Sequence, residues 1–242
     1  MVDPSATGTL AEIGVRYALP AASLTRLSIL VELLADIRAA PTAIHDREHI
    51  LRDHIADALV ALELPEVASA DLIVDIGAGA GVPGLPLAIA LPRASVTLLE
   101  SNARRCAFID SAIRTCSLGN ASAVAARAES WPDGIGRLDL VTARAVAALD
   151  VVAEYAAPLL RLGGSLVAWR GQRERSAEDD AARAGSILGL DIAAPVRAHP
   201  FPGAEHRHLH VMRKIAQTPD RFPRRVGVAS KRPLGSRPSP AI

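Results

Sequence analysis

The chain has 242 residues, half of them hydrophobic, which allows a sizeable core and excludes a largely disordered polypeptide. Aromatic residues make up only 3%, so that core must be built from Ala, Leu, Val and Ile. The net charge of +1 hides an asymmetry: residues 213–242 carry eight Lys or Arg against one Asp, a balance of +7, whereas residues 1–212 carry −6. A basic, Pro-rich segment on an acidic body is either an arm for a polyanion or a solvated tail. No uninterrupted apolar run approaches the roughly 18 residues needed to cross a bilayer, and "MVDPSATGTLAEIG" lacks the basic-then-apolar order of a secretory signal. Cys106 and Cys116 are the only cysteines, ten residues apart and without a disulfide framework. A cytoplasmic protein with no membrane segment is expected.

Residues 23–39 place Leu24, Leu27, Leu30, Val31 and Leu34 at helical spacing behind Ser23 or Thr25. Residues 46–63 repeat the pattern with Ile50, Ile55, Leu59 and Leu62, so two helices precede the first strand. From Asp71 onward, apolar runs of strand length at 72–76, 95–99, 121–125, 138–143 and 165–169 alternate with alanine-rich stretches at 82–91, 102–117 and 145–160. Such alternation means βαβ units and a parallel sheet covered on both faces. A charged helix follows residue 176, and two further runs near 191–198 and 207–213 suggest a closing antiparallel hairpin. The predicted fold is α/β and Rossmann-like, with a mostly parallel sheet of about seven strands. It divides the chain into an N-terminal helical extension (1–66), a sheet domain (67–215) and a basic tail (216–242), the last 25 or so residues extended.

The turn after the first strand, "VDIGAGAGVPGLPLAIA", faces the ligand crevice in such a sheet. Glycines at Gly77, Gly79, Gly81 and Gly84 let the backbone approach a cofactor and turn tightly. A dinucleotide would need the following helix terminus for its pyrophosphate. Pro83 and Pro86 remove N–H groups there, and Asp75, two residues ahead of Gly77, would repel a phosphate and attract a cation such as S-adenosylmethionine. Glu100, with Ser101 next to it, ends the second strand, where a carboxylate can accept ribose hydroxyls of either cofactor. Glu129 follows the third strand and is either an acceptor for an adenine amino group or a surface residue. Arg144 follows the fourth strand, where an arginine is costly unless it meets an anion or a ligand; a salt bridge to a neighbour such as Glu129 is the alternative.

The segments "VDIGAGAGVPGLPLAIALP", "TLLES", "RAES", "DLVTARAVAAL" and "GGSLVAWRGQ" resemble, in order, those of the RsmG (GidB) family. "TAI…DHIADAL" and "TPDRFPRRVGVASKRPL" extend the resemblance over nearly all of residues 20–235. The resemblance implies S-adenosylmethionine-dependent methylation of N7 of a guanine in a loop of 16S rRNA of the small ribosomal subunit. It places cofactor contacts on Gly77, Val82, Ala128, Glu129 and Arg144, near Glu100. The chain departs from the family at "APTAI", where Pro41 stands in place of the usual "NLTAI", and at Arg170-Gly171, where Lys-Gly is usual. Arg keeps the charge of Lys but not its shape. "DHIADAL" keeps the spacing of His54 and Asp57, whose role the sequence leaves open.

Guanine N7 carries a free lone pair, so its methylation releases no proton from the base and calls for positioning rather than a general base. Arg144 and Arg170 are the candidates for positioning the target. Arg173, Arg221, Arg224, Arg225, Lys231 and Arg232 are candidates for phosphate contacts, with binding that weakens as salt rises. A base buried in a stack would have to be turned outward. Cys106 and Cys116 lie on a predicted helix and read as packing residues. His206, His208 and His210 share a strand face, but without a carboxylate or cysteine at fixed spacing no metal is expected. A monomer is expected. Two other classes stay open on the sequence: an NAD(P)-dependent oxidoreductase, and a non-catalytic RNA-binding assembly factor that retains the fold.

Overall fold

A computed structural model describes residues 4–235, with side chains from residue 10 onward, so Arg237 and the rest of 236–242 lie outside the described residues. The sheet is built from β1 (Leu72–Ile76), β2 (Ser95–Leu99), β3 (Ala121–Val124), β4 (Leu138–Arg144), β5 (Leu160–Arg170), β6 (Leu190–Ile192), β7 (Val196–Arg197) and β8 (His208–Lys214). Their order is β3-β2-β1-β4-β5-β8-β6, with β7 also paired to β8. β1 to β5 run parallel, whereas β8 is antiparallel to β5, β6 and β7. The expected run at 191–198 is thus two short strands on the same partner. Strand order reverses between β1 and β4, which opens a crevice at their carboxyl ends, the ligand position in open α/β sheets.

Parallel strands are covered on both faces, and their residues alternate between two cores. Ile73, Leu98, Leu140, Val167 and Val211 belong to one apolar cluster; Val74, Leu99, Val141, Leu166 and Met212 belong to the other. The second face is covered by α8 (Leu149–Ala156) and α9 (Arg175–Leu188), which ends at Gly189 in a left-handed conformation. On the first face lie α6 (Gly84–Ala90), α7 (Ala103–Thr115, capped by Asn102) and the N-terminal helices. These helices are α1 (Pro4–Arg16), α2 (Ala21–Ala35), α3 (Arg47–His49), α4 (Asp57–Leu59) and α5 (Pro65–Ala68). Leu27, Leu30, Val31 and Leu34 of α2 are buried at the predicted helical spacing and share one cluster with the sheet.

Three expectations need correction. The stretch 46–63 is not one α-helix: between α3 and α4 it passes through a π-helical segment, Ile50–Ala56, then a 3-10 turn at Val60–Glu63. α8 ends at Ala156 because Leu160 already belongs to β5, which is longer than the apolar run that announced it. Residues 216–235 are not extended. Phe222 is buried in the second core, α10 (Val228–Lys231) lies beside α8, and Gly235 N–H donates to buried Asp150 at 3.1 Å.

Candidate active site

The glycine loop is held by groups expected to face a ligand. Gly77 and Ala78 donate to Leu99 O at 2.8 and 3.2 Å, anchoring the loop across the end of β2. Gly81 adopts φ +82°, and a Cβ there would stand 2.4 Å from Leu85 Cδ1, so both conformation and space require glycine. Asp75 is 1% exposed; one oxygen accepts Gly84 N–H and the other Thr142 Oγ1, both at 2.9 Å. Burial pushes its pKa up to about 7. Glu100, 4% exposed, accepts Gly79 N–H at 2.9 Å and Asn102 N–H at 2.8 Å. Asp75 and Glu100 therefore tie the loop from behind, and Gly81 shapes the turn.

Three adjoining hollows open at the strand ends. One of about 210 Å³ is lined by Gly77, Ser101, Ala128, Glu129, Tyr155 and Ser230. It meets at Gly77 a second of about 190 Å³, with Thr42, His54, Gly79, Val82 and Arg144 in its wall. A third of about 570 Å³ shares His54 and Arg144 with the second and adds Asp53, Asp57, Trp169 and Arg170. The structure thus brings together Gly77, Gly79, Val82, Ser101, Ala128, Glu129, Arg144 and Arg170.

Arg144 sits at the junction, and its partner is not Glu129. Nη1 donates to Asp57 Oδ2 at 2.9 Å and to Asp53 O at 2.7 Å, and Nη2 reaches His54 Nδ1 at 2.9 Å. His54 Nδ1 also lies 3.2 Å from Asp53 O, which can only accept. A guanidinium can only donate, and the shorter Arg144 contact assigns a bare Nδ1 that accepts from it. The His54 Nε2–H then donates to Thr42 Oγ1 at 2.9 Å. Burial first, and Arg144 second, lower the His54 pKa to about 4, keeping the ring neutral. Ala145, directly after Arg144, has φ +56°, an uncommon conformation for a residue with a Cβ and one that gathers at functional sites. Glu129 is instead bound from the C-terminal segment, accepting Gly227 N–H at 3.1 Å. Thr42 and Ser230 lie in the resembling segments "TAI" and "TPDRFPRRVGVASKRPL" without being singled out there, whereas Tyr155 and the pairing of His54 and Asp57 with Arg144 had no signal in chain order beyond the retained His54–Asp57 spacing.

The basic candidates separate into used and exposed groups. Arg224 is not available to phosphates: its guanidinium forks onto both oxygens of Glu154, a carboxylate 2% exposed, and donates to Arg232 O. Arg173 is bound by Glu178 at the surface. Arg221, Arg225, Lys231 and Arg232 are exposed, Arg221 lying over the Phe222 ring. Arg170 donates to Ala147 O at 2.5 Å and keeps its place in the third hollow. His206 precedes β8, His208 donates to Gly171 O at 2.9 Å, and His210 is buried with its pKa lowered by burial to about 4. Among the described residues no three His, Cys, Asp or Glu side chains converge as a metal set. No helix among them is long and apolar enough to cross a membrane. Cys106 and Cys116 are buried free thiols.

Comparison with solved structures defines the class. Precorrin-6y C5,15-methyltransferase from Geobacter metallireducens superposes with a TM-score of 0.51 at 18% identity, covering 74% of this chain and 96% of that one. Aeropyrum pernix fibrillarin with natively bound S-adenosyl-L-methionine gives 0.52 at 19% identity, covering 65% and 72%. The chain therefore has the Rossmann-like methyltransferase fold. Sequence comparison is more specific. Residues 24–193 match the profile of GidB, rRNA small subunit methyltransferase G. Ribosomal RNA small subunit methyltransferase G of Chloroflexus aggregans is 41% identical over 196 residues, 80% of this chain and 82% of that protein. The protein of the same name from a Thermotoga species is 36% identical over 231 residues, 95% and 99%. The chain belongs to the rRNA small subunit methyltransferase G family.

Proposed function

We propose that this protein transfers the methyl group of S-adenosylmethionine to N7 of a guanine in 16S rRNA of the small ribosomal subunit, acting as a cytoplasmic monomer. The observation that carries the cofactor choice is the start of α6. Pro83 and Pro86 have no N–H, Gly84 N–H is spent on Asp75, and Leu85 N–H is spent on Gly81 O. A terminus with no free donor cannot seat a pyrophosphate, which disfavours the dinucleotide reading. The two hollows joined at Gly77 suit an elongated nucleoside, their combined size falling within the roughly 300–1,000 Å³ of small-molecule sites. Ser101, Ala128 and Glu129 would hold its nucleoside end, and Gly77, Gly79, Val82 and Arg144 the amino-acid end. Bound there, S-adenosylmethionine supplies an activated methyl group.

The chain's own task is positioning. Guanine N7 needs no proton removed, so the transfer calls for no general base. Arg144, fixed by three partners, marks the boundary between donor and acceptor hollows, and Arg170 lines the acceptor side. Arg221, Arg225, Lys231 and Arg232 are the remaining candidates for phosphate contacts. Calorimetry against S-adenosylhomocysteine and NAD, followed by transfer from labelled S-adenosylmethionine to small subunits, tests this reading. Binding of S-adenosylhomocysteine and label in 16S rRNA are expected. Binding of NAD alone would return the chain to the oxidoreductase class, and cofactor binding without transfer to the assembly-factor class.

A further inference from the structure

The acceptor hollow holds a carboxylate that its surroundings leave incomplete. Asp57 is 5% exposed; Oδ2 accepts from Arg144, but Oδ1 is a buried oxygen that accepts no hydrogen bond. Leaving a buried acceptor unpaired is costly, and most such atoms in folded proteins are satisfied. The cation facing this oxygen is Arg207, from the segment entering β8. Its Nε lies 3.2 Å from Oδ1 without hydrogen-bond geometry, while its Nη2 donates to Asp53 Oδ1 at 3.2 Å. Asp53 and Asp57, four residues apart on the segment that runs from the π-helix into α4, both line this hollow. Half-buried Arg207 thus spans two carboxylates and fits only one.

We infer that Asp53 and Asp57 form the base-recognition site, accepting the N1–H and N2 amino group of the target guanine in place of the Arg207 guanidinium. This inference rests on the guanine reading above. A guanidinium is a planar row of N–H donors, and the Watson–Crick edge of guanine presents the same row. Enzymes that act on an extruded base read this edge by hydrogen bonds. Adenine presents an acceptor at N1, which two carboxylates repel, and hypoxanthine lacks the amino group. A site built to bond a polar group discriminates strongly against an analogue without it. Recognition on this edge leaves N7 free. Methylation makes the purine cationic, so the same carboxylates hold the product-like state more strongly than the neutral base.

The test is calorimetry or saturation-transfer NMR of the full chain loaded with S-adenosylhomocysteine, titrated with GMP, IMP and AMP. Wild-type protein is expected to bind GMP about tenfold or more tightly than AMP, with IMP between. Asp53→Asn and Asp57→Asn should each weaken GMP about tenfold and bring the GMP-to-IMP ratio towards one. In Asp53→Asn, whose side chain does not touch Arg144, S-adenosylhomocysteine affinity should stay within about twofold. Asp53 is partly exposed, so its variant gives an answer even if Asp57→Asn does not fold. Equal binding of GMP and AMP by wild type, or an unchanged GMP-to-IMP ratio in Asp53→Asn, would overturn the inference. If wild type still methylates guanine N7 in small subunits, that result removes the base-recognition site alone; if it methylates no guanine, the underlying reading falls instead.

Discussion

A methyl group at Gly84 would stand 2.8 Å from Leu98 Cδ2 and 2.9 Å from Asp75 Oδ2, both closer than packed side chains tolerate. Gly84→Ala should therefore cost about 1–3 kcal/mol, measured by chemical denaturation, and weaken S-adenosylhomocysteine binding by loosening the loop. His54 sets a pH dependence with a definite sign. Its folded pKa of about 4 lies below the ordinary 6.5, so the unfolded chain takes up the proton first. Stability is full above pH 6.5 and falls as pH drops towards 4, by about 2 kcal/mol at pH 5 from this residue. His210, lowered to about 4 by burial, adds a loss of the same sign. His54→Asn, whose carbonyl can replace Nδ1 as acceptor for Arg144, should flatten part of this slope in thermal unfolding between pH 5 and 7. An unchanged slope would refute the assignment. At this scale the sequence identified the residue types near the site but not their directions. Asp75 and Glu100 stand where acids were expected, and chain order did not show that each also accepts a backbone N–H of the glycine loop.

The C-terminal segment is the element whose role changed most. Its charge pattern read as an extended arm, whereas residues 216–235 fold back along α8, with Tyr155 Oη and Ser230 Oγ 2.9 Å apart at the edge of the first hollow. Arg224→Ala would strand Glu154 as a buried unpaired carboxylate. The expected loss is about 3–5 kcal/mol or somewhat less, since the arginine is partly solvated, and urea denaturation measures it. Were Arg224 a phosphate contact only, stability would not change. β1 and β2 were legible to the residue because parallel strands are unbroken apolar runs. α1 was not, because Gly8 and Gly14 interrupt its pattern, and the π-helical segment was not, because Ile50 and Ile55 read equally well as α-helical.

Across the whole molecule, the N-terminal helices close the crevice from one side and the folded-back C-terminal segment from the other. The βαβ alternation made the fold class legible, since two-sided burial leaves its mark in every strand. The joining of the parts did not show, because Arg144–Asp57 and Glu129–Gly227 link residues far apart in the chain. A ligand seated between them should stabilise the entire fold. S-adenosylhomocysteine at 100 times its Kd is expected to add about 2.7 kcal/mol to unfolding, and NAD none.

The most direct test of the account is nucleoside analysis of 16S rRNA from small subunits incubated with this protein and S-adenosylmethionine. The account predicts one added methyl group, recovered as 7-methylguanosine and lost when Arg144 is replaced by Ala. A methyl group on another atom or another base, or full transfer by the Arg144→Ala protein, would contradict it.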